Sequence, residues 1–178
     1  MANKVQFGLK SVYYAKKTSS GYSTPVAIPG AVSLTLSALG DPSKFYADNS
    51  MYFHTVMNNG YDGTLEVAKL PDAFLKDIFG FTEDTAHVLI EDATLEPAHA
   101  ALLFQIDGDA DDECYVIYDC SFGRPAIGSS TTTTTKDPTT QSIPVSAAPL
   151  SSGVVAKRTT AETTSTVKSG WFSSVYTA

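Results

Sequence analysis

The residues of this chain that could do chemistry are an acidic run, three histidines, two cysteines and a scatter of carboxylates. The run Asp107, Asp109, Asp111, Asp112, Glu113 begins like a calcium loop, in which carboxylates at alternate positions wrap the cation. The sixth position, where such a loop needs glycine for its sharp turn, is Asp112, and the twelfth, where a bidentate glutamate belongs, is Tyr118. The run therefore reads as a solvated turn between two strands. His54, His87 and His99 fall in separate segments without metal-ligand spacing. Glu66, Glu91 and Asp119 could pair as general acid and base, but nothing local selects two of them. The chain carries neither a phosphate-cradling glycine motif nor a Gly-x-Ser-x-Gly nucleophile elbow. Cys114 and Cys120 share one expected strand, which sets their α-carbons about 20 Å apart, far beyond the roughly 7 Å that a disulfide spans. Two buried thiols in a reducing compartment follow. No catalytic, cofactor-binding or metal-ligating residue is assigned, and the expectation is a protein that is not an enzyme.

The bulk properties narrow the class further. At 178 residues the chain fits one domain, 1–178, with a sizeable core. A hydrophobic content of 43% with 17% charged residues belongs to a folded protein. The formal charge of −7 argues against a broad nucleic-acid-binding face, which needs clustered Lys and Arg. It still allows a protein that touches DNA without gripping it. The amino terminus shows no apolar run of signal-peptide length and no stretch could span a bilayer, so folding in the cytoplasm without membrane insertion is expected.

The elements are best marked around Gly60–Gly80. Gly60 and Gly63 suit a tight turn, after which Leu65 and Val67 alternate with Thr64 and Glu66 as a strand. Pro71, Asp72 and Gly80 then frame a short helix, with Phe74, Leu75, Ile78 and Phe79 as its apolar stripe and Lys76 and Asp77 pointing away. So short a helix does not stand alone in water and must lie on a sheet. Strands are expected at Val5–Lys16 (Val12 and Tyr14 on one face), Ala31–Ala38, Met51–Asn58, Val88–Glu91, and as a hairpin at Ala100–Asp107 and Cys114–Cys120. In Ala31–Ala38, Val32, Leu34, Leu36 and Ala38 form one face and Ser33, Thr35 and Ser37 the other, where small hydroxyls suit water or a polar partner. Leu39–Ser50 reads as a loop with Phe45 and Tyr46 inside it. The last strand candidates are Ile143–Ala148, which Pro144 demotes to an edge or a bulge, and Val154–Thr160. A long Ser/Thr-rich loop, 122–142, contains the run Thr131–Thr135. In the carboxyl-terminal arm, 165–178, Trp171, Phe172, Val175 and Tyr176 suggest a short helix, capped by Ser169, that docks on the domain or on a neighbour. The fold class is mainly β with one flanking α-helix: a β-sandwich or half-open barrel.

The blocks FGLKSVYYA, PGAVSLTLSALG, FYADN, NNGYDGTLEVAKLPDAFLKDIFG, HVLIED, ALLFQIDGDA, CSFGRP and WFSSVY, in this order along nearly the whole chain, resemble the major tail protein family of long-tailed bacteriophages, the subunit of the tail tube. The resemblance implies a virion protein, assembled in the host cytoplasm, whose half-open sheet completes a β-barrel ring on oligomerisation. Rings of six stack into a tube through which the genome passes, and a tape measure protein, a tail terminator and tail tip proteins are the implied partners, with no cofactor. On that basis Phe45, Tyr46, Ala47, Asp48 and Asn49, the 122–142 loop, and Trp171 with Phe172 are expected at contacts between copies. Ser33, Thr35 and Ser37 are expected to face the lumen, where hydroxyls and net negative charge let DNA slide without sticking. Another phage-tail or contractile-particle tube component, an immunoglobulin-like binding module and an enzyme on a β scaffold are the alternatives. The missing leader and cysteine bridge count against the module, and the missing reactive constellation against the enzyme.

Overall fold

Alternating apolar residues make strand the main regular structure of this chain, and one capped apolar stripe makes its main helix. The computed structural model describes residues 7–108, 112–129, 131 and 138–177. Its strands are β1 (Leu9–Thr18), β2 (Gly21–Tyr22), β3 (Val26–Ala27), β4 (Ala31–Leu39), β5 (Pro42–Ala47), β6 (Ser50–Val56) and β7 (Gly60–Val67), followed by helix α1 (Asp72–Phe79). Then come β8 (Thr82–Glu83), β9 (Leu89–Ile90), β10 (Ala100–Ile106), β11 (Cys114–Phe122), β12 (Gln141–Ala147), β13 (Ala156–Arg158) and helix α2 (Ser165–Gly170). The main sheet runs β2-β1-β10-β11-β12-β7-β4, with β13 also on β11 and β3 also on β1. It curls until β4, at one edge, comes back near β1 without joining it, so the barrel is half open.

Helix α1 forms where expected. Gly80 adopts the left-handed conformation (φ 72°) and its N–H reaches the Leu75 carbonyl. Phe74, Ile78 and Phe79 are buried, each worth about 1.5–3 kcal/mol, against Tyr14, Leu65, Val67, Leu102, Phe122 and Ile143. Phe74 is the hub, in edge-to-face contact with Tyr14, Phe79 and Phe122 at 4.9, 5.9 and 5.2 Å between ring centres. Asp77 does not point away as its place in the helical repeat predicts. It accepts the Tyr14 hydroxyl at 2.7 Å, tying the helix to β1, and burial with this neighbouring carboxylate raises the phenol pKa.

The other face of β1, β10 and β11 carries a second core. Ala15, Ala101, Leu103, Cys114, Val116 and Tyr118 are sealed there by Trp171, with Phe172, Val175 and Tyr176 packed around it. The carboxyl-terminal helix lies earlier than expected, at Ser165–Gly170, so the aromatic cluster falls in the turns after it. Ser169 is inside that helix, its hydroxyl donating back to the Thr166 carbonyl, and does not cap it.

Bulges account for the remaining departures. Asp119 sits mid-strand at φ 49°, and β11 slips by one residue against β10 there. The slip reverses which residues face which core: Cys114 joins the second core and Cys120 the first, both as free buried thiols. A slip in β4 between Ala31 and Ser33 likewise leaves Val32 53% exposed, off the face of Leu34 and Leu36. Leu39–Ser50 is not a loop, because Asp48 (φ 50°) and Asn49 (φ 60°) make a two-residue turn that zips β5 to β6. Pro144 lies in an interior strand and not at an edge. Its carbonyl takes the Gly123 N–H at 2.8 Å, so its missing N–H falls on the β11 side, where that ladder ends at Phe122–Val145. Residues 1–6, 109–111, 130, 132–137 and 178, which hold the start of the first expected strand, part of the acidic run and all but the first residue of the Thr131–Thr135 run in the expected 122–142 loop, lie outside the described residues.

Candidate assembly surfaces

Three surfaces of this fold are left without partners of their own, and each follows from local sequence. The first is the β5–β6 hairpin. It leaves the sheet between Leu39 and Gly60 and pairs only with itself. Phe45, Tyr46, Met51, Tyr52, Phe53 and Val56 are all more than half exposed. Of the expected contact residues, Phe45 to Asn49 thus occupy the second half of one strand and the turn that ends it.

The second surface is the outer face of β4, β7 and β12. Because opposite residues in antiparallel ladders share a face, pairing assembles rows that no single strand shows. Ser33, Glu66 and Ser142 form one row, Thr35, Thr64 and Pro144 the next, and Ser37, Asp62, Ser146 and Ser121 a third. Apart from the half-buried Glu66 and Ser121, these side chains are exposed. The rows hold hydroxyls and two carboxylates and no Lys or Arg. Hydroxyls of Thr140 and of Ser33 (3.0 Å) donate to Glu66 and hold its carboxyl below the usual range, which keeps the charge on this face. Beneath the rows, Leu34, Leu36, Leu65, Val67, Ile143 and Val145 belong to the first core, the alternation of a sheet solvated on one side. The sequence pattern alone marks Ser33, Thr35 and Ser37. Asp62, Thr64, Glu66, Ser142 and Ser146 join them only through register.

The third surface is the outer edge of β4, nine residues that pair with β7 alone. At the opposite rim of the sheet, β2 and β3 pair with Lys17–Thr18 and Tyr13–Tyr14 of β1, and the N–H groups of Ile28 and Ser23 donate to the Val12 and Lys16 carbonyls, both at 2.8 Å, so the outer edge of β1 is covered from Val12 to Thr18 and is open before it.

Trp171 is not at any of these surfaces. It is 3% exposed, and its indole N–H donates to the Tyr115 carbonyl at 3.3 Å inside the chain's own second core. Its bulk packs inside its own chain; Phe172 beside it is half-buried, 4.9 Å from the Tyr13 ring.

The reactive groups remain dispersed. Glu91 pairs with Arg124 at 2.9 Å, and Glu83 takes both Lys76 and His87. Asp119 binds Lys17 at 2.7 Å and His99 at 2.9 Å. Burial pushes the Asp119 carboxyl up, and these two partners more than offset it, leaving the group below the ordinary carboxylate range. Burial pushes the Cys120 thiol up to about 12, which removes it as a nucleophile. Among the described residues no group of three or more His, Cys, Asp or Glu is arranged to hold a metal ion, and no helix is long and apolar enough to cross a membrane.

No protein-family model matches the chain, and no curated protein matches it in sequence. Among solved structures, the tube-terminating cap of the anti-feeding prophage, seen by cryo-electron microscopy, aligns over 90% of this chain and 95% of that one. The two share 11% of residues at a TM-score of 0.46. At that level the likeness by itself identifies neither a family nor an activity.

Proposed function

We propose that this chain is a structural subunit of a phage tail tube, built by repetition of itself. One observation carries the reading: a sheet whose long edge strand is open also bears a bare hydroxyl face on that same strand, with the carboxylates of β7 beside it. An open edge is a template for another strand. Joining the β4 edge of one copy to the partly covered β1 side of the next satisfies the backbone of both, and a closed ring leaves no edge over. In such a ring the rows of Ser33, Thr35 and Ser37 with Asp62, Thr64 and Glu66 line one continuous surface. A channel of hydroxyls and carboxylates repels phosphate and offers it no cation, so DNA passes without being held.

Six copies per ring, stacking of rings through the β5–β6 hairpin and the 122–142 loop, and capping by terminator, tip and tape measure proteins complete the proposal. These follow the resemblance to tail tube subunits, and the exposed apolar hairpin supports the stacking step. The test is negative-stain microscopy of the purified chain. Rings or tubules with a central channel are the expected result. A population of single particles at all concentrations, with every edge closed, overturns it.

A further inference from the structure

The concave face of the sheet is only partly roofed. Helix α1 covers one end, and at the other an apolar groove of about 660 Å³ stays open between the β1 and β4 sides. Leu9, Leu34, Leu36, Phe104, Ile117 and Ala156 line it together with Lys157 and Arg158, and no residue of α1 enters it. The β5–β6 hairpin contributes nothing to this lining. One chain thus carries both an unfilled apolar trough and an unburied apolar finger.

We propose that the groove of one copy receives the β5–β6 hairpin of another, with Phe45, Tyr52 and Phe53 as the anchoring side chains. The inference rests on the self-assembly reading and specifies its contact. Three arguments select this occupant. The finger's apolar groups stay largely in water: Phe45, Tyr52 and Phe53 are 59, 74 and 57% exposed, although Phe45 meets Tyr52 of the same hairpin edge-on at 6.5 Å. The area suffices, because aromatic side chains bury about 150–250 Å² each. Three of them contribute about 450–750 Å², the larger part of the roughly 800 Å² per partner of a stable interface. Charge also agrees: the turn of the finger carries Asp48, while Lys157 and Arg158, the latter also paired with Glu113 at 3.3 Å, line the groove. Finger and groove are different patches, so the contact is head-to-tail. Each bound copy offers a fresh groove and a fresh finger, which is the condition for continued growth.

Complementary variants test this. A finger variant (Phe45→Ser, Tyr52→Ser, Phe53→Ser) keeps its groove, and a groove variant (Ala156→Arg) keeps its finger. Sedimentation velocity should show self-association of each alone weakened at least about tenfold. An equimolar mixture should form a one-to-one complex and stop there, since each copy has only one working half. Should the arginine disturb the fold, a gentler pair decides the matter: Phe53→Cys in one tagged copy and Ala156→Cys in another should give a disulfide between the two tags. A mixture that stays monomeric, with no cross-link, overturns the assignment; so does full assembly of a folded Ala156→Arg variant, or retention of a small apolar dye by the groove throughout assembly. The outcome is separable from the tube reading: stacked tubes from a groove-blocked variant sink the groove and spare the tube. A one-to-one mixture complex from a wild type that makes only linear chains does the reverse.

Discussion

Phe45 of β5 stands directly across the ladder from Phe53 of β6, and both rings face solvent, 59 and 57% exposed. A cross-strand aromatic pair steadies a hairpin by about 0.2–1 kcal/mol. That is little against the cost of presenting so much apolar surface to water beside Tyr46, Met51 and Tyr52. So exposed a pair is what the proposed contact between copies requires.

Replacing Phe45 and Tyr46 by serine should therefore leave the monomer intact and abolish polymerisation. Circular dichroism should show an unfolding midpoint within a few degrees of wild type, because surface changes stay within about 0.5 kcal/mol. Negative-stain grids should be empty of tubes. Normal tubes from this variant would remove the hairpin from the interface.

The outer face of β4 makes a different prediction. Ser33→Lys with Ser37→Lys alters exposed positions and should leave the fold unchanged. If that face lines the channel, tubes of the variant should retain short duplex DNA in a co-sedimentation assay at low salt and release it as salt rises, while wild-type tubes retain none. Variant tubes as indifferent to DNA as wild type would place the face elsewhere.

Phe74 is fully buried where α1 meets the sheet. Truncation to alanine should cost about 3–5 kcal/mol in urea unfolding, because three ring contacts and a packed volume go at once. Trp171→Ala should cost about as much, since that side chain holds the carboxyl-terminal segment on the second core. A loss below 1 kcal/mol for Trp171→Ala would mean that its burial matters little to the isolated chain.

Asp119 gives the pH dependence. Its folded carboxyl lies below the ordinary value, so the stability it adds is full above the unfolded pKa of about 3.9 and is lost as pH falls through the lower folded value. Lys17 and His99 are 42 and 49% exposed, which screens the pair and limits the effect to about 1 kcal/mol. Asp119→Asn, which still tolerates the left-handed backbone, should be less stable than wild type by that amount at pH 7 and equal to it near pH 2. A constant difference at both pH values would put the effect in the bulge and not in the charge.

Most of the short-range features were legible in the residues. Pro71, Asp72 and Gly80 delimit α1, and the alternation of Ser33, Thr35 and Ser37 with leucines announces a strand solvated on one side. The hairpin at the acidic turn follows from two apolar runs around a polar one. These depend on periodicity and caps, which act over a few residues. The turn at Asp48-Asn49 was also written there, and reading it as part of a loop missed a two-residue hairpin signal. Three features belong to the tertiary structure. Asp119's bulge sends Cys114 and Cys120 to opposite cores, because one extra residue in a ladder reverses every side chain beyond it. Pro144 sits inside the sheet, since whether a missing N–H is costly depends on which neighbour that side faces. And the rows that put Asp62, Thr64 and Glu66 beside Ser33, Thr35 and Ser37 exist only once β7 has chosen its register, a choice made by the packing of both faces together.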